Sequence, residues 1–179
     1  KKIVSYDENL FLVLIKLQSN VPLKKMFIKI SRLGDGDFYV LFSLLVFMFG
    51  SLESELFIKT TLVAFAIEIP MFMILKQVFK RDRPFEKLHC CNRLVIPSDQ
   101  FSFPSGHTMA AFVMATSFCY YFPIFAPVVY SLAGAIGLSR IILGVHFPTD
   151  VIIGALLGIL CAHLGLSLIH ISEPTRLIG

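Results

Sequence analysis

The sequence predicts an all-α fold: a polytopic transmembrane helix bundle with about five spans plus N-terminal interfacial amphipathic helices. Three observations predict it. The 179 residues are 56% hydrophobic and 16% charged, with 18 phenylalanines and a mean hydropathy of +0.78. A soluble core of this length does not need that much apolar material. Apolar runs of roughly 20 residues recur, and such runs with few charges span a ~30 Å hydrocarbon core. No coiled-coil, collagen-like or low-complexity pattern competes, and no sequence repeat is present.

The elements follow in order. In residues 3–33, Leu10, Leu14 and Leu17, then Phe27 and Ile30, recur at helical spacing with Lys16, Lys24, Lys25 and Lys29 between them. This reads as helices at the interface, broken near Pro22. "RLGDGD" is a turn. Five spans follow: Phe38–Leu52, which is short, then Leu56–Leu75, Pro104–Phe122, Ala126–Leu143 and Val151–Ile171. "GALLG", Gly154 to Gly158, is a small-residue face suited to close helix packing. Residues 1–171 make one membrane-embedded domain, and the polar tail 172–179 reads as non-native adaptor or vector sequence.

The net charge is +4. No basic stripe carries interleaved aromatics, so no nucleic-acid partner is expected. Cys90, Cys91, Cys119 and Cys161 lack the paired C-x-x-C spacing of a zinc site. Cys119 and Cys161 read as small buried hydrophobes. Adjacent Cys90 and Cys91 are expected as free thiols, since bonding each other requires strain.

Crossing by crossing, the segments Lys76–Phe103 and Ser139–Asp150 return to the N-terminal side. All 16 Lys and Arg except Lys59 and Arg176 lie there. The positive-inside rule alone makes that side cytoplasmic. Anion binding is the competing cause of positive charge.

Three clusters share that face. In "KQVFKRDRP", Lys76 and Arg83 are two helical turns apart and Pro84 ends the helix near Arg83. Two cations suit a phosphate dianion; snorkelling to headgroups is the alternative. In "PSGH", Pro104 pre-sets the first turn, Ser102 is a candidate N-cap, and Gly106 allows close approach. Unpaired first-turn amides at residues 105–107 make an anion seat beside His107, although an interfacial histidine alone needs no such role. In "SRIILGVHFPTD", Arg140 offers a planar fork, and His146 and Asp150 meet across one turn. A carboxylate on one imidazole nitrogen leaves the other free to attack. A plain loop with a capping Asp explains Asp150 but gives His146 no role. Glu68, deep in a span, is expected to face the bundle in a structural role, with Lys59, Lys76 or a polar helix as partner. Lys80, Arg81, Lys87 and Arg93 read as a basic rim, while His89, His163 and His170 carry no assignment.

These three motifs, K-x6-R-P, P-S-G-H and S-R-x5-H-x3-D, resemble those of the type 2 phosphatidic acid phosphatase superfamily of membrane lipid phosphatases, related to vanadium haloperoxidases. Lys76, Arg83 and Pro84, then Pro104–His107, then Ser139, Arg140, His146 and Asp150 match in order and spacing. The resemblance implies hydrolysis of a lipid phosphate or pyrophosphate through a phosphohistidine. His146 would be the nucleophile, Asp150 its polarising acid, and His107 the acid for the leaving oxygen. Lys76, Arg83, Arg140, Ser105 and the Gly106 amide would hold the phosphoryl oxygens, with no metal and no cofactor. The implied partners are the lipid phosphate and membrane lipids. The candidates are undecaprenyl pyrophosphate, phosphatidic acid and phosphatidylglycerol phosphate. The family commonly has six spans with the site on the outer face of the bacterial cytoplasmic membrane. Five spans here then imply a first span upstream of Lys1. A lipid phosphotransferase, or a non-enzymatic polytopic protein such as a transporter, is the alternative. The apolar spans argue against a soluble haloperoxidase.

Overall fold

The computed structural model describes residues 2–88, 93–97 and 99–172. His89, the Cys90–Cys91 pair and the tail beyond Ser172 lie outside the described residues. Among the described residues every regular element is helical. The order is α1 (Lys2–Ile15), α2 (Val21–Arg32), α3 (Gly36–Phe47), α4 (Leu52–Phe79), α5 (Pro84–Lys87), α6 (Gly106–Tyr121), α7 (Ala126–Ile142) and α8 (Pro148–Ser172).

The expected break near Pro22 falls just before it, in a tight turn at Lys16–Ser19. Asn20 then caps α2, its Oδ1 accepting the Leu23 N–H at 3.1 Å. Pro22 fits the first turn because an N–H there has no helical partner to lose. Both N-terminal helices bury one aromatic each. Phe11 packs on Ile141 and Phe147. Phe27 packs on Ile142, Leu143 and Val145. The two helices therefore clamp the turn between α7 and α8, while Tyr6, Val13 and Val21 stay exposed.

The five expected spans all appear as helices. Leu52–Lys87, Pro123–Ile142 and Pro148–Ile171 are long and apolar enough to cross a membrane. α3 and α6 are shorter, at 12 and 16 residues. The bundle is organised for lipid outside. On α8, Ile152, Leu156, Leu160, Leu164 and Leu168 form an exposed stripe at the four-residue spacing of one helix face. The opposite face is made of small residues. A methyl added at Gly154 would meet the Ser105 carbonyl at 2.8 Å, and one at Gly165 the Thr60 carbonyl at 2.9 Å. Where lipid tails are as apolar as leucine, close backbone approach and dispersion hold helices together. The glycines permit that approach between α8 and both α4 and α6.

A methyl at Gly158 would press on the Met109 carbonyl of α6, a backbone atom that cannot rotate away. Gly158→Ala should therefore lower the melting temperature in detergent, by an overpacking cost of about 1–3 kcal/mol. Gly134→Ala, which meets nothing within 4 Å, should leave it level or raise it through helix propensity.

Candidate active site

The end of α4 differs from the expectation. Lys80 adopts a left-handed conformation (φ 43°) and its N–H closes on the Lys76 carbonyl at 3.1 Å. The helix thus stops at Phe79, and Arg83 becomes the residue before α5 instead of sharing a helix face with Lys76. The two cations converge nonetheless, because both seek the same carboxylate. Lys76 Nζ donates to Asp99 and, at 2.5 Å, to the Phe101 carbonyl. Arg83 donates to Asp99 Oδ1 at 2.7 Å and to the Val145 carbonyl at 2.7 Å. Lys76 and Arg83 are 5% and 1% exposed, which rules out snorkelling. Burial would raise the Asp99 carboxyl, but its contacts with Lys76 and Arg83 hold it below its ordinary range.

The start of α6 also differs in detail. Pro104 lies outside the helix, and Ser105 is the residue before the first turn. Ser102 does not cap; its hydroxyl donates to Asp150. The Ser105 hydroxyl pairs with Thr108 at 2.8 Å and its N–H donates to the Asp150 carbonyl at 3.1 Å. A side chain at Gly106 would strike the Phe72 ring at 2.7 Å. Glycine is therefore needed first for α4–α6 packing, and it leaves the first-turn amides uncovered. His107 Nε2 lies 3.0 Å from Asp35 Oδ1.

His146 sits in the turn between α7 and α8. The N–H groups of Val145 and His146 both reach the Arg140 carbonyl, at 3.2 and 3.3 Å, and Gly144 supplies the positive φ of 80°. Asp150 is fully buried. It accepts the Phe147 N–H at 2.8 Å, the Ser102 hydroxyl, and Arg81 Nη1 at 2.7 Å. His146 Nδ1 stands 3.8 Å from Asp150 Oδ2, an electrostatic contact too long for a hydrogen bond. Burial, with Arg83 and Arg140 nearby, pushes the imidazole down to about 3 against the opposing pull of Asp150. Arg140 Nη1 donates to Ser31 at 2.5 Å, while its Nε is buried without a partner.

Arg81 does not belong to a basic rim. It joins Asp150 to Asp7 of α1, at 2.5 Å on the Asp7 side, and lies 4.3 Å over the Phe147 ring. Lys87 pairs with Glu8 at 2.7 Å. Sequence reasoning missed Asp99, Asp35, Asp7 and the role of Arg81. The one available signal was charge balance, since buried cations require counter-charges.

A cavity of about 560 Å³ collects the site. Arg83, Asp99, Gly106, His107, Arg140 and His146 line its polar end. Lys76 reaches it through Asp99, while Ser105 and Asp150 stand behind the lining. Val40, Ile69 and Met73 line the apolar end and are themselves exposed on the bundle surface. Glu68 faces this cavity and pairs with neither expected lysine: Lys59 bonds Glu55 at 2.9 Å, and Lys76 bonds Asp99.

Asp99 occupies the cations as an internal anion. Asp99→Asn should therefore tighten binding of orthovanadate or inorganic phosphate about tenfold, or about 1.4 kcal/mol, by titration of the purified protein. His146 generates a pH prediction. Unfolded, its imidazole takes a proton near about 6.5; folded, only near about 3. The unfolded state therefore binds the extra proton between those values, and stability falls as pH falls through that window. His146→Asn should flatten that part of the curve of melting temperature against pH.

The PAP2 superfamily model matches residues 57–173. Over 110 residues the chain is 33% identical to the bacitracin transport permease protein BcrC of Bacillus licheniformis, covering 62% of this chain and 54% of that one. Over 111 residues it is 36% identical to phosphatidylglycerophosphatase B of Bacillus subtilis, covering 55% and 51%. The chain thus spans about half the length of these curated relatives. The crystal structure of Aquifex aeolicus LpxE superposes with a TM-score of 0.74 at 34% identity, covering 89% of this chain and 93% of that one. The PAP2-type phosphatidylglycerolphosphate phosphatase from Bacillus subtilis gives 0.77 at 26% identity, covering 98% and 90%. The family match runs over more than half of the chain and takes in all three motifs, and the chain belongs to the PAP2 superfamily.

Proposed function

We propose that this integral membrane protein hydrolyses a lipid phosphate or pyrophosphate through a phosphohistidine. The observation that carries the reading is the shared cavity. Arg83, His107, Arg140 and His146, drawn from four separate segments, line one end of it. A phosphoryl group there meets guanidinium forks, first-turn amides and two imidazoles. Phosphoryl transfer depends mainly on such positioning and charge stabilisation.

The roles follow from the geometry. His146 is neutral near pH 7, as a nucleophile must be. Its Nδ1 is buried on the Asp150 side, which leaves Nε2 as the attacking nitrogen. Asp150 steadies the ring and its developing charge through the 3.8 Å contact. Nε2 bonds to phosphorus as the P–O bond to the lipid breaks, and His107 gives the leaving oxygen a proton. Water then attacks the phosphohistidine and releases phosphate. Lys76, Arg83, Arg140 and the Gly106 amide hold the phosphoryl oxygens, with Asp99 displaced. Ser105 contributes by rotating away from Thr108. Residues 1–171 act as one domain that needs no metal or cofactor.

The reading extends to the membrane. Lys76, Arg83 and Arg140 are buried around the site, and Arg81 is bonded to Asp150. Their charge answers to anion chemistry, so it does not count toward positive-inside topology. Ten other Lys and Arg share the site's face, so the assignment to the outer face of a bacterial cytoplasmic membrane rests on the likeness to bacterial relatives, which include a putative undecaprenyl-diphosphatase of Escherichia coli.

The test is phosphate release from lipid phosphates in detergent. His146→Ala should abolish it and the acid-labile phosphoryl-protein. His107→Ala should lose about 10²–10⁴-fold on lipid esters but far less on an aryl phosphate, whose leaving group needs no acid. Phosphate release undiminished in His146→Ala would remove the reading.

A further inference from the structure

The cavity has a second polar feature that phosphate chemistry leaves unused. Glu68 is 4% exposed and lines the wall between α3 and α4. It makes no hydrogen bond or ion pair to any described residue. The lysines one would pair with it are engaged by Glu55 and Asp99. Tyr39 of α3 lines the same wall, and its hydroxyl is buried without a hydrogen-bond partner. Around them the lining is apolar: Phe65, Ile69, Phe72 and Met73. A carboxyl group held in such surroundings is costly unless something hydrogen-bonds to it.

Its depth says what that something is. Phe72 packs against Gly106 and so marks the level of the anion seat. Glu68 precedes Phe72 by four residues, one turn or about 6 Å further from the seat. That level receives the first atoms of the alcohol once the phosphate is seated. A second phosphate placed there would meet a carboxyl group, and a plain hydrocarbon would leave it unpaired. A hydroxyl would donate to Glu68 and could accept from Tyr39.

We propose that Glu68, with Tyr39, selects phosphate monoesters whose alcohol carries a free hydroxyl close to the ester, as a glycerol phosphate headgroup does. This rests on the phosphatase reading above. It disfavours isoprenoid phosphates and diphosphates, and phosphatidic acid, whose glycerol hydroxyls are both acylated.

The experiment compares kcat/KM for phosphatidylglycerol phosphate, phosphatidic acid and a polyprenyl monophosphate, using the full chain in detergent. The readout is the ratio of the hydroxyl-bearing substrate to the other two, so that a general loss of folded protein cancels. A buried polar group left unpaired by the wrong substrate supports a preference of about tenfold or more. Glu68→Leu should lower the ratio about tenfold, and Glu68→Gln, which still accepts a hydrogen bond, should restore most of it. Tyr39→Phe should lower the ratio less, and it carries the test if Glu68→Leu does not fold. Turnover with a ratio that neither Glu68→Leu nor Tyr39→Phe changes overturns this inference alone. If the unaltered chain hydrolyses none of the three, the phosphatase reading falls and this inference with it.

Discussion

The rest of the site depends on one buried anion. Asp150 is shut away from solvent, and a carboxylate there persists only if its oxygens are satisfied. Its partners come from three places: Arg81 just beyond α4, Ser102 before α6, and the Phe147 N–H in the turn before α8. Meeting the demands of one carboxylate therefore draws together segments far apart in the chain. Arg81 extends the network to Asp7, which also accepts the Thr149 N–H at 2.9 Å. The N-terminal helix is thereby tied to the turn that carries His146. Such a network rigidifies only when every member is paired. Removing one member leaves a buried charge exposed to its full desolvation cost.

The same logic governs the cations that line the cavity. Buried cations brought this close repel one another unless a counter-charge stands between them. The chain answers with an internal anion, Asp99 on Lys76 and Arg83, while Asp35 hydrogen-bonds His107. In the proposed reaction, substrate binding is an exchange of one anion for another, not a fall into an open field of positive charge. This lowers net affinity for any stray phosphate. Asp99 and Asp35 are partly exposed, so both can move to water when displaced. Asp150 cannot, and it sits behind His146, where no exchange is wanted.

Much of this was legible in the sequence, and the failures have physical causes. The helices were readable because the apolar runs are long and the turns carry Gly, Pro and Asp. The motif residues were readable because their chemistry is unusual at the mouth of a span. The end of α4 was misplaced because Pro84 constrains only Arg83, whereas the chain turned at Lys80 by a left-handed step that a lysine does not advertise. Ser102 looked like a cap by position, but a stronger demand, the buried Asp150, took its hydroxyl. Arg81 looked like rim because its partner Asp7 is 74 residues away. Single carboxylates such as Asp99 and Asp35 carry no spacing signal. Only the three-dimensional need for counter-charge reveals them.

The division of labour inside the cavity explains why shared motifs leave the lipid undetermined. The residues proposed to hold phosphorus lie between Lys76 and Asp150, wholly within the stretch that matches the superfamily. The wall beyond the phosphate is built differently. α3 supplies Tyr39 and Val40, and α4 supplies Phe65, Glu68, Ile69 and Met73. α3 lies ahead of the matched stretch, whereas Phe65, Glu68, Ile69 and Met73 lie inside it. The phosphate end is held by charge networks that tolerate little change. The wall is held by apolar packing, which accepts substitution of similar volume at small cost. On the proposed reading, one part of the cavity carries the chemistry and another reads the alcohol. Val40, Ile69 and Met73 carry the apolar lining out to the bundle surface, where one hydrocarbon tail packs much like another, so the proposed discrimination falls to the first polar group past the phosphate, Glu68.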